Sequence, residues 1–332
     1  MPLPSHEPPD DIVARARKRA AARAARDWPR ADALRAEIEA AGWRVVDRGT
    51  AFKLSPAFPP TTEVAGTVRY GSAAAVPSLL DAPADARFSV QLIADDWPDD
   101  LARALSGLRA HAPDGTQVVI VANDPSPAQA ERLEPGGPDL DPIAGRAPEA
   151  TWTSTRLGHA AARNVGLRRA AGEIVVLADS SIEPVGDALT PLAAALADPS
   201  LAVAGGFGLT SDDLRHLSES LGPAVDAIEG VWLAFRRDDY RRLGPLDERF
   251  VSERHLDAWW SFALRLETDP ASRPPREARR LELPLVRHER RDRTGLSAAE
   301  LDRLTKRNSY RVLDSFRDRA DELLIARRAG RS

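Results

Sequence analysis

The fold is decided by the run Ala162-Arg163-Asn164-Val165-Gly166-Leu167-Arg168-Arg169-Ala170-Ala171-Gly172-Glu173-Ile174-Val175-Val176-Leu177-Ala178-Asp179-Ser180-Ser181. Its first half continues an Ala-rich stretch that predicts a helix over Leu157–Ala171, stopped by Gly172. Its second half, Glu173–Asp179, is a near-continuous Val/Ile/Leu run of strand length. A strand apolar on both faces, directly after a helix, implies a buried parallel sheet in α/β layers. Working outward, the alternation recurs upstream as strand Phe88–Ala94, helix Pro98–Ala110 and strand Gln117–Ala122. Downstream, Leu201–Phe207, Val231–Phe235 and Leu281–Arg287 supply further strands, and Ala298–Arg328 reads as a charged helix or helix pair. Asp124–Ala150, rich in Pro and Gly, reads as a mobile loop.

In open parallel sheets, ligands sit beyond the carboxyl ends of the strands. Here those ends are Asp95-Asp96, Asn123-Asp124 and Asp179-Ser180-Ser181. A single Asp after a strand is usually a turn or cap residue. Acid or amide clusters at three strand ends point instead to a site.

The chain has 332 residues, of which 43% are hydrophobic and 29% charged. That suits a soluble enzyme domain with an appendage. Cysteine is absent, which excludes a disulfide scaffold, thiolate metal sites and cysteine nucleophiles. No apolar run approaches the ~20 residues of a bilayer span. The Pro- and acid-rich Met1–Asp11 does not resemble a secretory signal. A cytoplasmic protein without a transmembrane segment is expected.

Charge is uneven: residues 1–55 carry 11 Lys+Arg against 8 Asp+Glu, residues 56–270 carry 18 against 32, and residues 271–332 carry 17 against 10. The basic residues are almost all Arg, a bias that fits a GC-rich genome, so Arg abundance alone does not mark an anion site. Ile12–Arg26 forms a basic helix, and Asp27 caps a second helix that accepts Pro29 in its first turn and stops at Gly42. Trp43–Val46 and Ala51–Leu54 form a β-hairpin. The expected organisation is a small helical-hairpin plus β-hairpin module over 1–55 and a linker or arm over 56–86. An α/β domain over 87–290 and a basic helical segment over 291–332 complete it.

Ala162–Leu167 and the Gly172-Glu173 turn before an apolar strand and Asp179-Ser180-Ser181 resemble family 2 glycosyltransferases of the GT-A fold. That family has an "ARN-x-G" helix, a "GE" turn and a "D-x-D" motif in this order. Gly230–Arg237 resembles its "G-x-x-x-x-F-R-R" strand, and Gly244–Phe250 its "G-x-F-D-E-x-F" turn. Asp257 stands at its catalytic acid pair. The resemblance covers about residues 87–290. It implies a GT-A domain, a Rossmann-like mixed, mostly parallel sheet with flanking helices. It also implies inverting transfer of a sugar from a nucleotide-diphosphate donor to a hydroxyl acceptor.

Under that resemblance Asp257 is the catalytic base. Asp95, Asn123, Asp124 and Arg163 bind the nucleotide. Asp179, Glu183 and His288 hold a divalent cation, Mn²⁺ or Mg²⁺, that stabilises the diphosphate leaving group. Glu229, Trp259 and Trp260 contact the acceptor, and Arg290, Arg291, Arg293, Lys306 and Arg307 close over the pyrophosphate. Each has a plainer reading: a turn for Glu229, core for the tryptophans, a capping role for His288 and a solvated face for the cations. Ser181 stands where the family has its second Asp, and Leu256 where it has the first acid of the pair. The alternative is therefore a catalytically degenerate GT-A scaffold that binds RNA or a protein. A nicotinamide dehydrogenase is disfavoured, because no G-x-G-x-x-G follows the first strand.

Ala21–Arg35 and Ala41–Thr50 resemble the C-terminal mini-domain of cysteinyl-tRNA synthetases, but no synthetase catalytic signature follows. The resemblance implies a docking appendage, or an RNA contact through Arg15, Arg17, Lys18, Arg19, Arg23, Arg26 and Arg30.

Overall fold

The computed structural model describes residues 8–48, 51–266, 275–289, 291 and 297–326. They form two compact units. The smaller comprises the described residues up to Ala75 with Thr153–Thr155, and the larger Val76–Trp152 and Arg156 onward.

In the smaller unit, α1 (Asp10–Ala24) and α2 (Trp28–Ala40) precede the antiparallel pair β1 (Trp43–Arg48) and β2 (Ala51–Pro56). The Asp27 side chain accepts the Arg30 N–H at 3.2 Å, with Pro29 in the first turn, so α2 starts as its sequence dictates. Ile12 and Ala16 of α1 pack on Ile38 of α2 and on Trp43 and Val45 of β1. Arg19, only 4% exposed, forks onto both carboxylate oxygens of Asp47 at 2.8 and 3.1 Å. Arg23 also reaches Asp47, at 3.6 Å, and Arg15 pairs with Asp11 and Glu37 at 3.3 and 3.7 Å. These cations of the basic helix therefore hold the module together. Beyond β2, β3 (Thr62–Val64) and β4 (Thr67–Tyr70) pair around Ala65-Gly66. Both turn residues have positive φ, 50° and 79°, the geometry that suits tight hairpins.

The larger unit contains β5 (Ala86–Ala94), α3 (Pro98–His111), β6 (Gln117–Ala122), α4 (Pro127–Leu133), β7 (Glu149–Thr153), α5 (His159–Arg168) and β8 (Gly172–Ala178). There follow β9 (Ile182–Pro184), α6 (Thr190–Leu196), β10 (Leu201–Gly205), β11 (Gly208–Thr210), β12 (Ser218–Ser220), β13 (Ala224–Val225) and β14 (Ala227–Ile228). The remainder is β15 (Trp232–Arg236), α7 (Arg237–Leu243), α8 (Leu256–Arg265), β16 (Glu277–Arg280), β17 (Leu285–Arg287), α9 (Ala298–Phe316) and α10 (Ala320–Leu323).

Its main sheet has the order β13-β16-β10-β15-β8-β5-β6-β7. Strands β7, β6, β5 and β8 are parallel, whereas β15 runs antiparallel between β8 and β10. The expected mixed, mostly parallel α/β sheet is what forms. Alternation along β8 divides two cores. Val176 joins Phe88, Val90 and Leu92 of β5 beneath Leu101, Leu105 and Leu108 of α3. Val175 and Leu177 face the other way, with Leu233, Phe235, Trp260 and Phe262. The chain steps from β5 out to β6 and β7, then returns to lay β8 on the other side of β5. The strand order thus reverses between β5 and β8, the place where such sheets open a ligand crevice.

Three expectations change. Asp124–Ala150 is not a continuous loop: Ser126 caps α4 by accepting the Gln129 N–H, and buried Asp139 fixes the segment through Arg132 at 2.7 Å. A Ser-Pro start is a helix signal that Pro and Gly abundance masked. Leu281–Arg287 is not one strand, because β16 pairs with β10 while β17, after Pro284, turns to pair with β9. The helix expected over Leu157–Ala171 is the shorter α5. No described helix is long and apolar enough to cross a membrane.

Candidate functional site

Helix α5 frames the crevice, and its motif residues face inward. Arg163 is 2% exposed, and its guanidinium donates to Gln91 O (3.2 Å) and Ala178 O (3.1 Å). It therefore clamps the carboxyl end of β8 to β5. Asn164 is 1% exposed, and its amide both accepts from Leu246 N and donates to Leu246 O, each at 2.9 Å. Asn164 also accepts from the Tyr240 hydroxyl at 3.1 Å. Burial pushes the Tyr240 phenol upward, so it keeps the proton it donates. A Cβ on Gly166 would overlap the Gln91 side chain, and one on Gly172 would overlap the backbone at Phe88 and Ser89. The helix, the turn and the following strand thus pack at glycine-only distances.

Two pockets meet at the switch point. The first is bounded by Asp95 and Trp97 after β5, by Asp179 and Ser180 after β8, and by Arg291. It encloses about 60 Å³, against roughly 300–1,000 Å³ in typical small-molecule sites. Arg291 at its edge is 48% exposed, lies 5.3 Å over the Trp97 ring and reaches Asp100 at 3.7 Å. The second pocket holds Asp257, Gly230 and Trp260. His159, Arg163 and Glu253 line both, so the two form one composite cleft.

Within that cleft, Asp257 is oriented by two backbone N–H groups, Gly230 to Oδ2 at 3.2 Å and Ala258 to Oδ1 at 2.8 Å. Asp179 Oδ1 accepts the Ser181 N–H and hydroxyl at 2.9 and 2.6 Å. Ser181 thus ties down one oxygen of the carboxylate beside it. Asp95 accepts from Arg156 at 3.0 Å.

Of the other described residues singled out from sequence, Trp260 also lines the cleft and the rest lie elsewhere. Asn123, 4% exposed, exchanges two hydrogen bonds with the Leu157 backbone at 2.8 and 3.2 Å. Asp124 is exposed after β6 with φ 52°. Glu183 accepts from His288 at 2.7 Å across the β9–β17 pair, and neither lines the cleft. Asp179, Glu183 and His288 do not assemble as a ligand set, and among the described residues no three His, Cys, Asp or Glu side chains could hold a metal ion. Glu229 forms a two-point ion pair with Arg287 at 2.7 and 2.8 Å. Trp260, 1% exposed, packs edge-on against Phe235 and Tyr240, and Trp259 donates to Ser315 of α9 at 3.2 Å. Lys306 pairs with Asp302 on its own helix, and Arg290 and Arg293 lie outside the described residues.

The sequence reading missed His159 and Glu253. His159 opens α5, one turn before Arg163, whose Nε–H points to its Nε2 at 3.4 Å. Glu253 lies four residues before Asp257. A titratable residue one turn before a motif residue was the available signal.

Residues 96–253 match the family model described as glycosyl transferase family 2. Among solved structures, GalNAc-T7 with UDP, GalNAc and Mn²⁺ shares 15% identity at a TM-score of 0.54, covering 69% of this chain and 48% of that one. The mannosyltransferase PcManGT of Pyrobaculum calidifontis, solved with GDP-Man and Mn²⁺, shares 22% identity at a TM-score of 0.45, covering 62% and 57%. A cysteine–tRNA ligase of Opitutus terrae is 50% identical over 54 residues, 16% of this chain and 12% of the ligase. The chain thus spans about half of the GalNAc-T7 chain and a small part of the ligase. The larger unit, built on a β5/β8 crevice, thus has the GT-A fold, and residues 96–253 within it match the glycosyl transferase family 2 model.

Proposed function

We propose that the larger unit is an inverting glycosyltransferase that uses a nucleotide-diphosphate sugar. One observation carries this reading: Asp95 and Asp179 at the ends of β5 and β8 share a composite cleft with Asp257, joined through His159, Arg163 and Glu253. The family 2 match over residues 96–253 supports it. The nucleotide diphosphate lies in the first pocket, where Arg291 and His159 face its charge. The acceptor enters the second pocket beside Asp257. The acceptor oxygen bonds to the anomeric carbon as the carbon–oxygen bond to the diphosphate breaks. The diphosphate leaves with that electron pair, and the hydroxyl proton passes to the Asp257 carboxylate. The Gly230 and Ala258 N–H groups fix the orientation of that carboxylate.

A divalent cation is expected of this chemistry, and the GalNAc-T7 and PcManGT structures contain Mn²⁺. Among the described residues, Asp179, Glu183 and His288 do not come together as the three-ligand set expected from sequence. The alternative is a catalytically degenerate GT-A scaffold that acts as a binding protein, with Ser181 and Leu256 standing where the family has acids. An RNA contact gains no support, because Arg15, Arg19 and Arg23 are engaged in ion pairs within their own module.

Asp257→Asn separates the readings. Activity screened across UDP-, GDP-, CDP- and dTDP-sugars should fall by about 10²–10⁴-fold with nucleotide affinity retained, the usual contribution of a general base. Full activity in the variant removes Asp257 from the mechanism. Nucleotide binding without transfer in the wild type selects the scaffold.

A further inference from the structure

A second cleft opens at the opposite end of the sheet. β5 and β8 run toward the composite site, so Arg87 near the start of β5 and Glu173 and Ile174 at the start of β8 lie at the far edge. β15 is antiparallel, and its register sets Arg236 opposite Ile174 while Trp232 lies opposite Ala178 near the composite site. Glu173 and Asp179 are six residues apart along one strand, roughly 20 Å at the usual rise. The two clefts are therefore distinct.

This cleft encloses about 540 Å³, against about 60 Å³ for the first pocket of the composite site. Four guanidinium groups line it, from Arg87, Arg236, Arg237 and Arg241, against two carboxylates, Glu173 and Asp238. The excess of positive charge stands out because residues 56–270 carry 18 basic against 32 acidic residues.

The four arginines divide by what they hold. Arg236 is scaffold: it donates to the carbonyls of Leu201 and Asp198, each at 2.7 Å, and of Leu196. Arg237 is 4% exposed and donates to the carbonyls of Leu79 and Ala82, and its buried Nε–H has no acceptor among the described residues, as is also true of Arg19 and Arg103. Such a donor can take an acceptor from a ligand. Burial lowers the Arg237 pKa, and the neighbouring Arg241 charge lowers it further. Arg87 is exposed and lies 5.4 Å over the Phe88 ring; no carboxylate among the described residues lies within ion-pair distance, and its charge helps to lower the Asp187 pKa. Arg241, 44% exposed, is ion-paired among the described residues only with the 83%-exposed Asp238, at 3.0 Å. Ile174, Ala193 and Leu196 supply an apolar wall.

We propose that this cleft binds a small phosphate-bearing molecule, its anionic group held by Arg87, Arg237 and Arg241 and its body resting on Ile174, Ala193 and Leu196. Guanidinium forks match phosphate oxygens two at a time, and several forks around one group favour a multiply charged phosphate over a single carboxylate. The site is independent of the transferase reading, because it shares no residue with the composite cleft.

Phenylglyoxal labelling of the full chain, read by mass spectrometry, tests it with inorganic pyrophosphate as the probe. Labelling rates of Arg87 and Arg241 report this cleft whether or not pyrophosphate also enters the other one. Saturating pyrophosphate should slow both at least about threefold. In Arg241→Gln, the concentration that protects Arg87 should rise about tenfold, the expected loss for one charge-assisted hydrogen-bond partner. Both side chains are exposed, so folding is preserved. Unchanged labelling of Arg87 overturns the proposal, and so does protection that Arg241→Gln leaves intact.

Discussion

Replacing Arg163 with Lys distinguishes a residue that grips nucleotide from one that clamps two strands. The guanidinium makes three hydrogen bonds to strand carbonyls, one to Gln91 O at 3.2 Å and two to Ala178 O at 3.1 Å. A lysine keeps the charge but lacks the fork, so it satisfies one of those carbonyls and leaves the rest. Hydrogen bonds involving a charged group contribute about 1.5–3 kcal/mol each, and burial penalises the acceptor left behind. Arg163→Lys should therefore destabilise the larger unit by about 2–4 kcal/mol. With a urea slope of about 3 kcal/mol/M, the unfolding midpoint should fall by about 1 M. Tryptophan fluorescence reads this unit well, because Trp97, Trp152, Trp232, Trp259 and Trp260 all belong to it. The decisive measurement is made without nucleotide. An unchanged midpoint together with weakened nucleotide binding would refute the clamp and restore the direct contact implied by family resemblance.

Two further predictions concern stability. Gly172→Ala should cost about 1–3 kcal/mol, since its Cβ would strike the β5 backbone rather than a side chain that can move; an unaltered urea midpoint would contradict that packing. Burial acts to raise the Asp213 pKa, but the N–H groups of His216 and Arg215 and the His216 ring outweigh it and bring it down to about 2. A depressed acid stabilises the folded state above its unfolded pKa, and that contribution is lost as pH falls from about 4 through about 2. The thermal advantage of wild type over Asp213→Asn should narrow across that window, and an advantage constant from pH 5 to 2 would count against it. The effect is small, because Asp213 is 39% exposed.

Much of the architecture follows from local pattern. Gln117–Ala122 is a strand buried throughout, as a continuous Val/Ile run between helices requires. Asp27-Trp28-Pro29 starts α2 by side-chain capping, a signal contained in three consecutive residues. What stayed hidden depends on distant partners. Leu281–Arg287 looks like one strand until Gly205 accepts the Leu281 N–H and Pro184 pairs with Leu285 in another sheet. The β7 strand follows a Pro-rich run whose one helix signal, Ser126-Pro127, is easily read as a turn.

The candidate site divides in the same way. Asp95 and Asp179 were legible because the carboxyl end of a parallel strand is a position that sequence reveals. Arg163 and Asn164 were legible as special. The packing adds their partners, the strand carbonyls of Gln91 and Ala178 for the first and Leu246 and Tyr240 for the second. Glu183 and His288 satisfied a ligand pattern in sequence and satisfy each other in space.

By itself, the sequence determined the layered α/β class and the strand ends that carry acids, since hydrophobic period and capping chemistry act over a few residues. The tertiary structure decided which polar side chains face a cleft and which are consumed by buried backbone. A backbone carbonyl removed from water takes whatever donor the fold brings to it. It also decided that Arg87, Arg237 and Arg241 converge, because that convergence rests on the β5–β8–β15 register rather than on spacing along the chain.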